Sequence, residues 1–315
     1  MVFLNYVSAA FGQVLILAIL VAVGFICDKA GLFTQRIAKD CNNLLFYIIT
    51  PGVVIHSFLN VDFNPSNALS FFLMAIIMAV FHGLGGVAVH FLYKKSGEHR
   101  PIFQYATVYG NVGYMGLPLA QAVAGETGVF YCSAAVVVFN IFAFTHGIGL
   151  MRRSGGEKVS YRKLLINPGS IGIMVGLPLC LLQVLLKVEL PSLILQPIQH
   201  IGNLNTPMAM LMFGTYLANT DLPGMFRQKE NYIVALLKLI VFPGVMLSGI
   251  YLLGVRGPLL LAAAVACSAP TANNTVMFAA KYDRDTGIAS KASGFASVLS
   301  ILTMPVFIAL ADLLG

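Results

Sequence analysis

The sequence predicts an all-α, polytopic membrane protein, and three observations predict it. Only 10% of the 315 residues are charged and 58% are hydrophobic, with a mean hydropathy of +0.85. A soluble domain carries about 25% charged residues. Apolar stretches long enough to cross about 30 Å of hydrocarbon recur along nearly the whole chain. The basic residues fall in alternate connections between those stretches. Helices are the natural solution, because each pairs its own backbone groups in lipid. The ten-residue alternating segments of a transmembrane barrel are not visible.

Ten spans are expected, near residues 7–27, 42–60, 69–93, 101–124, 129–151, 166–187, 193–219, 232–254, 257–280 and 287–314. The first apolar run follows no basic leader, so it reads as a mature helix rather than a cleaved signal. Loop charges test the number of spans. Lys29, Arg36 and Lys39 follow span one; Lys94, Lys95 and Arg100 follow span three. Arg152, Arg153, Lys158, Arg162 and Lys163 follow span five, Arg227 and Lys229 span seven, and Lys281, Arg284 and Lys291 span nine. The opposite connections hold only Lys187 and Arg256. Basic loops stay in the cytoplasm, which predicts a cell-membrane protein with both termini outside. The net charge of +7 is thus a topology signal and calls for no nucleic acid.

An internal repeat divides the chain into residues 1–151, a basic cytoplasmic loop at 152–165, and residues 166–315. Thr50-Pro51 lies within span two and Thr206-Pro207 within span seven, 156 residues on. The turn after span four contains Glu126-Thr127-Gly128, and the one after span nine Asp285-Thr286-Gly287, 159 residues on. Five spans per half is an odd number, so the second half must enter from the opposite face. Inverted repeats with broken helices are an architecture of secondary transporters, with substrate near the midplane.

Spans four and nine are the ones expected to break. Span four runs Gly110-Asn111-Val-Gly113-Tyr114-Met-Gly116-Leu-Pro118, with three glycines, an asparagine and a proline within nine residues. Span nine runs Cys267-Ser-Ala-Pro270-Thr271-Ala-Asn273-Asn274. Pro270 removes a backbone donor there, and the asparagines compete for backbone groups. The repeat offset sets Gly110 and Asn111 against Ala269 and Pro270. A break in lipid leaves backbone groups that must find partners. The half-helix after each break presents free N–H groups and a positive dipole end. Two such ends meeting at mid-depth from opposite directions would form an anion site without a buried Arg or Lys.

All twelve carboxylates fall in loops or at span ends, which argues against a cation-extruding pump. A sodium site would have to use neutral oxygens such as those of Thr271 or Asn273. Lys238 lies about seven residues into span eight, where snorkelling to the interface would accommodate it; lining the anion path is the alternative. Among the histidines, His56 is the first candidate for proton coupling, six residues past Pro51. The five cysteines are scattered without CxxC or metal spacing, so they read as small apolar residues, and neither metal nor cofactor is expected.

The segments Asn111-Val-Gly-Tyr-Met-Gly-Leu-Pro118, Pro270-Thr-Ala-Asn-Asn leading to Ala280-Lys281-Tyr282, and Gly31-Leu32…Asn43…Tyr47…Thr50-Pro51 resemble the auxin efflux carrier family. The resemblance spans essentially the whole chain. It implies a ten-helix fold related to bile acid–sodium symporters, with a scaffold domain and a transport domain holding crossed helices four and nine. It also implies that Asn111 is the binding-site asparagine of helix four and Pro270 the proline of helix nine. Two departures matter. The long plant carriers place a proline at the helix-four crossing, where this chain has Gly110, and they often carry a long hydrophilic loop, absent between Met151 and Ile166. A short microbial-type permease for an organic anion such as malate or malonate fits better than an auxin carrier.

The expected function is therefore alternating-access movement of a small organic monoanion or dicarboxylate. Asn111, Tyr114, Thr271, Asn273 and Asn274 would face or bind it, while Gly110, Gly113 and Pro270 shape the break. H+ or Na+ coupling, a homodimer and the direction of transport are left open; membrane lipid is an expected partner. A sodium-coupled symporter of the bile-acid type and a non-transporting ligand sensor are the rivals. An intramembrane enzyme would need a constellation such as HExxH or GxSxG, and neither occurs.

Overall fold

The computed structural model describes residues 2–94, 96–152, 168–187 and 190–315. These residues are helical almost throughout. The helices are α1 (Val2–Lys29), α2 (Gln35–Asn60), α3 (Pro65–Leu92), α4 (Arg100–Val108), α5 (Val112–Met151), α6 (Pro168–Leu186) and α7 (Ser192–Asn203). They continue with α8 (Asn205–Ala218), a short α9 (Leu222–Arg227), α10 (Lys229–Leu252), α11 (Gly257–Ser268), α12 (Asn274–Lys281) and α13 (Thr286–Leu314). The basic loop expected over 152–165 lies, apart from Arg152, outside the described residues. Among them, α2, α3, α5, α10 and α13 are each long and apolar enough to cross a membrane.

Helix α3 shows why lipid is the solvent. One face buries Met74, Met78, Phe81, His82 and Val89 against the bundle. The opposite face exposes Leu69, Phe72, Ile76, Val80, Leu84, Val87 and Phe91, at 59–64% for Ile76, Phe72 and Leu84. A surface helix of a soluble protein turns a polar face outward; one that is apolar all round belongs in hydrocarbon.

Prolines shape the long helices in a repeated way. Pro51, Pro118 and Pro243 each follow, by two residues, a five-residue π-helical turn: Leu45–Ile49, Val112–Gly116 and Leu237–Val241. A proline ring collides with the carbonyl four residues back, and the widened turn absorbs that collision without ending the helix. Helix α5 contains a reversal at Gly125 (φ 58°, ψ −151°), a conformation that glycine adopts without steric cost. Its two legs form a tight hairpin, since a Cβ on Gly128 would stand 2.5 Å from the Ala120 carbonyl oxygen. The expected boundary between spans four and five falls at this reversal.

The packing brings together segments far apart in sequence. Helix α1 lies on α8 and α13, α2 on α6 and α7, and the α5 hairpin on α3 and α11. The Thr-Pro segments of the two halves also meet: Thr50 Oγ1 donates to Asn205 Oδ1 at 3.1 Å, fully buried. Thr50→Val removes that donor beside a buried amide oxygen. The expected cost is about 1–3 kcal/mol, visible as a lower melting temperature of the purified protein.

Candidate functional site

Two helix breaks face each other in the interior. Helix α4 stops at Val108, and Tyr109 turns extended (φ −93°, ψ 114°). Helix α11 stops at Ser268, and Ala269 is extended (φ −55°, ψ 134°), because the following Pro270 disfavours the helical region for the residue before it. Between the breaks, Gly110 and Thr271 form an antiparallel bridge. The Asn111 N–H donates to the Pro270 carbonyl at 2.6 Å, and the Ala272 N–H to the Tyr109 carbonyl at 2.9 Å. Thr271 Oγ1 donates to the Ala106 carbonyl at 2.8 Å, supplying a partner that α4 lost when it ended. Each break thus satisfies part of the other's backbone, which is how non-helical chain is tolerated at this depth.

Beyond the breaks the chain becomes helical again. Val112 and Asn274 begin the first turns of α5 and α12. The first N–H groups of any helix lack an internal acceptor, and here they belong to Val112, Gly113 and Asn274. Val112 N–H is used, donating to the Gly110 carbonyl at 2.9 Å. The Asn111 side chain caps its own turn only loosely, its Oδ1 accepting from Tyr114 N–H at 3.4 Å. Its Nδ2 is buried and has no hydrogen-bond partner. A buried amide donor in that state costs about 1–3 kcal/mol.

These groups line a cavity of ≈ 40 Å³. Its polar wall comprises Thr50, Asn111, Tyr114, Asn140, Asn273 and Asn274, and its apolar wall Val112, Val136, Phe139 and Ala272, with Gly110 and Gly113 between. Among the described residues no charged side chain lines it. The volume suits one or a few waters, so a larger guest requires the walls to part. Tyr114 is held across the cavity by its hydroxyl, which donates to Asn42 Oδ1 at 3.0 Å.

Six of the residues expected to bind substrate therefore line one space: Gly110, Asn111, Gly113, Tyr114, Asn273 and Asn274. Pro270 and Thr271 stand behind the wall and hold the break. His56 is elsewhere, its Nδ1 3.4 Å from Glu126 Oε2 beside the α5 reversal. Lys238 does not snorkel. It is fully buried, and its Nζ donates to the Val108 carbonyl at 3.2 Å, an acceptor left open at the C-terminal end of α4.

The chain reading overlooked Asn140 and Asn42. Asn140 had a signal, an amide inside the otherwise apolar run of residues 134–144. Thr50, which the sequence marks as half of a repeat and as part of a family motif, also lines the cavity.

A bundle with apolar outer faces, enclosing a polar cavity at a double helix break, defines the class: a helical membrane transport protein. The chain belongs to the membrane transport protein family, that of the auxin efflux carriers, whose model matches residues 9–308. It is 24% identical over 301 residues to an uncharacterised transporter of Methanocaldococcus jannaschii, covering 92% of this chain and 95% of that one. It is 25% identical over 270 residues to a candidate malonate transporter of Rhizobium meliloti, covering 82% and 80%. Auxin efflux carrier component 1 of Arabidopsis thaliana is 28% identical over 141 residues, which is 45% of this chain but 23% of that longer protein. The resemblance read from the three motifs is borne out.

Proposed function

We propose that this protein is a secondary transporter that moves a small organic anion, a carboxylate or dicarboxylate, across the cell membrane by alternating access. The observation that carries the reading is the unpartnered, buried Asn111 Nδ2 at a cavity where the first turns of two half-helices begin. A carboxylate placed there would take that donor together with the N–H groups of Gly113 and Asn274, and would sit at two positive helix ends. The uncharged lining suits a guest whose charge is met by dipoles and amides. The family and the candidate malonate transporter among the relatives support the substrate class.

On this reading the chain crosses the bilayer ten times as two inverted five-helix halves, with both termini outside. Two observations support the inversion: counterpart breaks bond antiparallel to each other at Gly110 and Thr271, and counterpart Thr-Pro segments meet at Thr50 and Asn205.

The test is a thermal-shift screen of the purified protein against mono- and dicarboxylates, followed by uptake into proteoliposomes. At least one carboxylate should raise the melting temperature and be taken up. A ligand that binds without crossing would make the protein a sensor, and uptake that requires a sodium gradient would make it a sodium symporter. If no carboxylate binds, the reading fails.

A further inference from the structure

Lys238 is the one fully buried lysine among the described residues. It sits in the π-helical turn of α10, and its Nζ donates to the Val108 carbonyl at 3.2 Å, at the negative end of α4. The ammonium lies 5.2 Å from the Phe81 ring centroid, and a Cβ added to Gly110 would stand 2.8 Å from Nζ. Gly110 is the cavity wall, so the lysine head lies directly behind it.

What surrounds that charge is as telling as its position. The titratable groups nearby are His82 on α3, Tyr109 in the break that follows α4, and Cys267 on α11. His82 directs Nδ1 to the Met78 carbonyl at 2.7 Å and stacks on Tyr109, whose hydroxyl reaches His146 Nδ1 at 2.7 Å. On α13, Lys291 pairs with Asp221 in the α8–α9 connection, and Asp312 is exposed near the opposite end. None of the nearby groups is a carboxylate, and among the described residues Lys238 makes no ion pair. A buried ammonium without a counter-charge is unfavourable. An anion in the cavity, one glycine away, supplies the missing charge.

We propose that Lys238 is a proton-binding site linked to the anion site, so that each transported carboxylate carries one proton on Lys238 Nζ. This rests on the anion reading above. Linkage between two binding sites is reciprocal: the anion favours the proton on Nζ, and the protonated amine favours the anion. On loading, the nitrogen lone pair takes a proton from water on the side where the anion enters. On release, the N–H bond breaks and the proton returns to water with the departing anion. The loaded cavity crosses as a neutral pair when the guest is a monoanion, and the empty carrier returns without either.

The experiment uses malonate as the probe and the purified full-length chain. In weakly buffered solution with a pH dye, malonate binding to the wild type should take up about one proton per malonate bound beyond what malonate itself exchanges. Lys238→Gln should bind malonate about tenfold more weakly and take up none. Lys291→Gln, which breaks only a partly exposed ion pair away from the cavity, should behave as the wild type does. In proteoliposomes with the membrane potential clamped, an acid-outside pH step should speed wild-type uptake several-fold. Proton uptake by Lys238→Gln equal to that of the wild type, or wild-type binding with no proton uptake, overturns the proposal while leaving the anion site standing. Should Lys238→Gln not fold, the wild-type proton count and pH step still decide. If the wild type neither binds nor exchanges malonate or any other carboxylate of the panel, the anion reading falls and this inference with it.

Discussion

Asn111→Ala is expected to lower carboxylate affinity by about 10- to 100-fold while leaving the empty protein as stable as before, or slightly more stable. The asymmetry follows from the hydrogen bonds. In the empty cavity Nδ2 has no partner and Oδ1 makes only a 3.4 Å contact with Tyr114 N–H. Removing the side chain therefore gives up little and relieves a desolvated donor. In the loaded state the same donor meets a charged oxygen, and a hydrogen bond to a charged group contributes about 1.5–3 kcal/mol. Titration of malonate against wild type and variant, with melting curves of both ligand-free proteins, separates the two effects. A variant that binds normally, or one whose empty form melts far lower, would assign Asn111 a packing role instead. Asn111→Asp should be worse still, since it places an acceptor and a negative charge where the anion belongs.

Gly110→Ala should disable transport through geometry rather than chemistry. The added Cβ would stand 2.8 Å from Lys238 Nζ and 3.0 Å from the Ala269 carbonyl oxygen. The lysine head can swing aside, at the loss of its bond to Val108; the Ala269 oxygen is backbone, and moving it pulls on the extended segment that carries Pro270. The bridge between the breaks is held by two bonds, 2.6 and 2.9 Å long, so a displacement of a few tenths of an ångström is felt directly. Overpacking of this kind typically costs about 1–3 kcal/mol. We expect a melting temperature lower by several degrees and uptake reduced by at least about tenfold, both read on the same preparation. Gly113→Ala is the control, because a Cβ there meets nothing within 4 Å. It should be far milder on stability.

Much of this was legible in the sequence, for reasons that can be named. The paucity of charge and the recurring apolar runs leave helices as the solution in lipid, and the described residues are helical accordingly. The breaks at Gly110 and Pro270 were visible because glycine, proline and asparagine crowd where a spanning helix should be uninterrupted. Their partnership was visible only through the repeat offset. That offset matched Gly110 with Ala269, whereas the bridge pairs it with Thr271, since antiparallel neighbours need not be repeat equivalents. Tertiary packing decided the rest. Asn140 lies in a run otherwise apolar, and nothing local says that this face of α5 turns toward the cavity. Lys238 is close enough to its helix end to snorkel by length alone; its burial depends on the open end of α4, which lies 130 residues away in the chain. His56 looked suited to coupling by its distance from Pro51, yet its neighbour is Glu126 rather than the cavity.

The most direct measurement is a structure of the protein with malonate bound at saturating concentration. The account predicts density for a carboxylate between the broken helices, with one oxygen about 2.7–3.2 Å from Asn111 Nδ2 and another at comparable distance from the first-turn N–H groups of Gly113 or Asn274. A saturated protein with malonate seated elsewhere, and Asn111 Nδ2 still without a partner, would contradict it.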